Sequence, residues 1–84
     1  MKTDQLLEVR HKTHGLYSDN ARVSQQIQKA YQYGKWETLT PVQKESLQFI
    51  AHKIGRILSG NPNEPDHWKD IAGYARLAEV GGNK

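Results

Sequence analysis

From Thr40 to Leu77 the chain reads TPVQKESLQFIAHKIGRILSGNPNEPDHWKDIAGYARL, two helical patterns separated by a loop with two prolines. Thr40-Pro41-Val42-Gln43 opens the first. A hydroxyl stands where a cap is wanted, and proline takes the first helical position, where its missing N–H costs nothing. Glutamine follows three residues after the cap and can reach back to it; these are the parts of a capping box. Leu47, Ile50, Ala51, Ile54, Ile57 and Leu58 follow at spacings of three, one, three, three and one, the widest apolar face in the chain. Residues 41–58 are therefore expected to form the central helix, ended by Gly60. Gly60-Asn-Pro-Asn-Glu-Pro65 cannot continue it, because each proline disfavours helical geometry in the residue before it.

Asp66 is expected to cap a last helix over about 67–80. Its apolar residues Trp68, Ile71, Ala72, Ala75 and Ala78 predict the stripe that faces the central helix. Gly73 and the alanines predict a close approach of the two backbones, since small residues let helices come near. The short connection makes the pair antiparallel neighbours.

Toward the N-terminus the signals are softer. Thr3 to His11 reads as a short amphipathic helix carrying Leu6, Leu7 and Val9, marginal alone and so bound to pack on the rest. Gly15 interrupts it, and Ser18 or Asp19 can cap a helix over about 20–33, with Val23, Ile27, Ala30 and Tyr31 as its apolar stripe. Gly34 stands where a C-terminal glycine stops a helix. Trp36, in the connector, is read as a core plug closing the helices. No strand alternation, internal repeat or low-complexity tract occurs. The expected fold is all-α: a small bundle of about four helices in one domain, 1–84, built on a central antiparallel pair.

Composition sets limits. A chain of 84 residues has a small core, and with no cysteine it has neither a disulfide nor a thiolate metal site to support it. Self-association into a homo-oligomer is the remaining way to add buried surface. Hydrophobic residues make up 36% and charged residues 25%, which suits a soluble domain and neither a disordered tail nor a membrane span. The segment MKTDQLLEVRHK has no apolar run of signal-peptide length, so a cytoplasmic location is expected. A net charge of +3 is far from the dense basic clustering of a DNA binder.

The helix pair also gathers the chemistry. Glu45, Phe49, His52, Lys53 and Arg56 share a broad face of the central helix, and Asp66, His67, Asp70 and Tyr74 share one on the last. In an antiparallel pair Lys53 and Arg56 are expected to face Asp66 and Asp70, either as structural salt bridges or as a polar pocket for a phosphate, nucleotide or metal. Candidate ligand-binding residues are Glu45, His52, Lys53, Arg56, Asp66, Asp70 and Tyr74, with His14. Only Glu45, Asp66 and Asp70 offer hard oxygen ligands, with Gln48, His52 and Lys53 where further acids are wanted, so no Mg²⁺ cofactor is assigned on this count. His11 and His14, with His52 and His67 as distant partners, lack the cysteines or His-Glu helical motif of a zinc site, and no metal ligand is assigned. No phosphate loop, serine elbow or dinucleotide fingerprint is present. A helix-turn-helix reading is disfavoured, because the loop is long and Asp66 and Asp70 would repel phosphates where the contacts belong.

THGxxxxNARV at residues 13–23 and AHKIGRILSGNPNEPDHWKDIAGYA at 51–75 resemble a family of small phage and prophage proteins of unknown function, over roughly residues 10 to 80. That family has an aspartate after the first glycine, where this chain has Leu16. More loosely, Lys53, Arg56, Asp70 and Tyr74 are similar to the lysine–arginine and aspartate–tyrosine pairs of phage nucleotide-modification-associated domains, themselves distantly similar to MazG-like pyrophosphohydrolases. The resemblance implies an accessory phage protein in a bacterial cytoplasm, handling nucleotides or acting on a host protein. The leading expectation is a protein that acts by binding, to a host protein or a nucleotide. The alternatives are a divergent nucleotide-binding or nucleotide-hydrolysing protein using Mg²⁺, and a weak nucleic-acid binder.

Overall fold

The computed structural model describes residues 12–82, and every regular element among them is helical. Residues 12–14 are helical and are followed by three longer helices: α1 over Tyr17–Tyr31, α2 over Pro41–Ser59 and α3 over Pro65–Gly81. A 3₁₀ turn, Trp36–Thr38, sits between α1 and α2. The chain is all-α, as expected. The helix expected over Thr3 to His11 lies outside the described residues.

α2 is built as its sequence dictates. The Gln43 N–H donates to Thr40 Oγ1 at 3.2 Å and the Thr40 N–H donates to Gln43 Oε1 at 2.9 Å, so the capping box is closed in both directions. At the other end the Gly60 N–H donates to the Arg56 carbonyl at 2.8 Å and the chain turns away. α1 and α3 both pack on α2, which lies between them as their shared neighbour. The apolar interior is thin: Ala51 and Ile57 are the buried hydrophobic residues among those described, joined by buried Ser24, Ser46 and His67.

Several expectations need correction. α1 begins at Tyr17, not at Asn20, and its N-cap is Leu16, with no side-chain hydrogen bond from Ser18 or Asp19. The cause is Gly15, whose φ of +79° reverses the chain just before the helix and leaves Leu16 extended. α1 also stops at Tyr31, with Gln32 as a right-handed cap, so Gly34 does not serve as a left-handed one. The cap of α3 is Glu64, whose carboxylate accepts from the Asp66 N–H at 3.4 Å; Asp66 itself is inside the first turn. Trp36 is a half-buried lid, not a buried plug, and stacks on Tyr31 with centroids 5.1 Å apart and planes 10° from parallel.

The inward stripe of α3 is also displaced. Trp68 is 54% exposed, and Ala72 and Ala75 are exposed, while His67 is buried and Asp70, Ile71, Tyr74 and Ala78 are half-buried. Trp68 turns out because its indole N–H donates to the Pro62 carbonyl at 2.7 Å, closing the loop. The close backbone approach lies elsewhere too. Nothing stands within 4 Å of a Cβ placed on Gly73, whereas one on Gly55 would lie 2.7 Å from the Asn20 carbonyl oxygen. Gly55 is therefore where α1 and α2 come nearest.

A second tight contact joins the two distant motifs. A Cβ on Gly15 would fall on the Ser59 carbonyl, and one on Gly60 would meet the backbone of Thr13 to Gly15. The Thr13 carbonyl accepts from the Asn61 N–H at 3.1 Å and from His67 Nε2 at 2.9 Å. His14 lies against His67 with ring centroids 5.1 Å apart. Residues 13–15 are thus fastened across the α2–α3 loop.

Candidate functional site

Six of the residues expected to form one polar cluster divide among three places, and Asp66 and His14 lie outside all three. Lys53 and Asp70 meet across the α2–α3 contact at 2.8 Å, with the lysine side chain 12% exposed and the carboxylate 46%. The hydrogen bond from Lys53 holds the Asp70 carboxyl below the usual carboxylate range. Partial desolvation opposes this, and the charges of Lys53, His67 and Arg56 add to it. This pair is closed on itself, as a register-fixing salt bridge would be.

Arg56 does not join it. Lys53 and Arg56 were expected to face Asp66 and Asp70, but Lys53–Asp70 is the one ion pair formed among these four residues, and Asp66 is exposed and makes no ion pair among the described residues. Arg56 instead lines a cavity of about 100 Å³ with His52 and with Tyr17, Asn20, Ala21 and Gln25 of α1. His52 approaches buried Ser24, its Nδ1 lying 3.5 Å from the hydroxyl.

Glu45 and Tyr74 belong to a third place. Tyr74 stacks on Phe49 with centroids 4.8 Å apart and planes 9° from parallel. This stacked pair forms part of an apolar groove of about 450 Å³ between α2 and α3, with Val42, Leu77 and Val80 around it and Glu45 at its edge. Phe49 is 39% exposed, Leu77 57% and Val80 58%. Glu45 is exposed and has no ion pair among the described residues. Large apolar side chains clustered this way mark an interaction surface more than they mark a catalytic cleft.

The three acids do not converge. Glu45 stands eight residues from Lys53 along α2, about 12 Å at 1.5 Å per residue, so it is more than two turns away from the Lys53–Asp70 pair. Asp66 lies at the opposite end of the antiparallel pair. Among the described residues no group of three or more histidine, cysteine, aspartate or glutamate side chains could hold a metal ion. His14 and His67 are neighbours, but His52 is on the α1 side of α2, and His11 is outside the described residues.

Two parts of this arrangement were missed in the sequence. The groove is visible in retrospect as Tyr74, Leu77 and Val80 at three-residue spacing, a second apolar stripe on α3 that the first stripe obscured. The α1 contribution to the Arg56 cavity gives no local signal, because Tyr17, Asn20 and Gln25 are ordinary polar residues of an exposed helix. No helix of the described residues is long and apolar enough to cross a membrane. Comparison with family models, with curated proteins and with solved structures finds no match to this chain.

Proposed function

We propose that this is a small accessory protein that acts by binding, taking an amphipathic helix of a partner protein into the groove between α2 and α3. The observation that carries this reading is the groove itself: Val42, Phe49, Tyr74, Leu77 and Val80 line it, and Phe49, Leu77 and Val80 are substantially exposed. A helix laid between two helices presents apolar residues at i, i+3 or i+4, and i+7, which is the length of wall from Val42 to Phe49. Unpaired Glu45 at the edge favours a partner with a lysine or arginine beside its apolar face. On the resemblance to small phage and prophage proteins, the partner is a host protein and the setting a bacterial cytoplasm.

The alternative, a divergent MazG-like pyrophosphohydrolase, draws support from the polar residues of the α2–α3 pair. Against it stand the distance of Glu45 from Asp66 and Asp70 and the commitment of Lys53 to Asp70. Mg²⁺ would enter only under that alternative. Incubation with a panel of nucleoside triphosphates and Mg²⁺ separates the two. The binding reading expects no release of pyrophosphate above a protein-free control; release that disappears in Asp70→Ala would overturn it. A nucleic-acid role predicts steeply salt-dependent retention on DNA, and the acidic opening of α3 speaks against it.

A further inference from the structure

The α1 side of α2 carries a second polar feature, separate from the groove. Arg56 is half-buried and makes no ion pair among the described residues, although its charge is felt at Asp70. The cavity it lines holds about 100 Å³, roughly the share of three water molecules at ~30 Å³ each, and so has room for one tetrahedral oxyanion. No carboxylate is among its lining residues. A guanidinium fork matches two oxygens of such an anion.

The neighbouring groups are donors as well. Ser24 Oγ accepts from Gln28 Nε2 at 3.0 Å and lies 3.5 Å from His52 Nδ1, which ties the imidazole to α1 at the edge of the cavity. The Tyr17 phenol and the Gln25 amide complete the wall. Asn20 Oδ1 is buried without a hydrogen-bond partner among the described residues and, as an acceptor, suits a hydroxyl or amide proton of the ligand's body and not its phosphoryl oxygens.

Gln25 also borders a wider, open trough of about 820 Å³, lined by Gln26, Gln28, Gln32, Gln48 and Trp36 among others. Glutamine amides both donate and accept, which suits a body rich in hydroxyls or ring amides and not an apolar one. Gln48 and Arg56 are eight residues apart on α2, about 12 Å. We propose that the α1–α2 side binds a small phosphorylated compound, its phosphoryl group held by Arg56 and His52 and its hydrogen-bonding body lying along the glutamine trough. Sugar phosphates and nucleoside monophosphates share this chemistry. The site is distinct from the groove, since one lies between α1 and α2 and the other between α2 and α3, although the His52 ring lies 6.3 Å from that of Phe49.

Amide NMR titration of the full chain with inorganic phosphate, ribose 5-phosphate, adenosine monophosphate and adenosine tests it. Both phosphate esters are expected to shift Tyr17, Gln25, His52 and Arg56 saturably and to bind about tenfold or more tighter than phosphate or adenosine. Equal affinities for the two esters would identify sugar and phosphate as the recognised part, and tighter binding of the nucleotide would add the base. Arg56→Gln is expected to weaken ester binding about tenfold or more, while Arg22→Gln, an exposed charge of α1 outside the cavity, leaves it unchanged. If Arg56→Gln does not fold, exposed Gln25→Ala carries the same expectation at smaller size. The proposal is overturned if no ester gives a saturable shift, if adenosine binds as well as its monophosphate, or if the cavity variants bind like the parent. Inorganic phosphate binding as tightly as its esters would remove the trough from the site.

Discussion

Gly15 and Gly73 occupy opposite situations, although both are glycines beside a helix surface. Gly15 has φ +79° and a Cβ there would fall on the Ser59 carbonyl, so a methyl group meets both a backbone conformation that L residues rarely adopt and main-chain atoms of α2. Gly15→Ala is expected to cost roughly 2–4 kcal/mol, combining a left-handed non-glycine residue with overpacking. Gly73 lies inside α3 with open space around it. Gly73→Ala is expected to stabilise by about 0.5–1 kcal/mol through helix propensity alone. Urea denaturation of the two variants checks both signs. A neutral Gly15→Ala would mean that the contact between residues 13–15 and the α2–α3 loop is not held as described.

At the scale of the element, the Lys53–Asp70 pair sets how α3 lies on α2, and its sign with pH follows from the depressed Asp70 carboxyl. A folded-state pKa below the unfolded value contributes stability that is present above the unfolded value, about 4, and is lost as pH falls through the folded one. Asp70→Asn is therefore expected to lower the melting temperature at pH 7, with the difference from the parent shrinking below about pH 4. A difference that stays constant from pH 7 to pH 2 would show that the pair does not act through its charge.

Elements differed in how much of them could be read from the sequence. α2 was legible because its signals are local: a reciprocal cap at Thr40 and Gln43, a wide apolar face and a terminal glycine. α3 was placed correctly, but its inward face was not. Apolarity nominated Trp68, Ala72 and Ala75, whereas His67 and Asp70 turn inward because each finds a partner there, the Thr13 carbonyl and Lys53. Side chains at Ser18 and Asp19 resembled caps, yet the chain reversal at Gly15 set the start of α1. The candidate site divided for the same reason. Lys53–Asp70 follows from an antiparallel pair, but the cavity at Arg56 depends on residues of α1 more than thirty positions away, and no local pattern announces them.

For the whole molecule, three helices with α2 as shared neighbour bury few apolar side chains and leave a groove open between α2 and α3. An apolar helix face left without a neighbour favours something packed against it. Under the proposed function a helix of another protein fills that place. The direct measurement is in-cell crosslinking of the full chain carrying a photoreactive residue at position 77, with the same residue at Tyr33, 89% exposed and outside the groove, as control. One adduct of defined heteromeric mass is expected from position 77 and not from 33, reproduced with the purified partner and lost in Phe49→Asp. A crosslink within the chain, a homodimer, or no adduct beyond the control would contradict it.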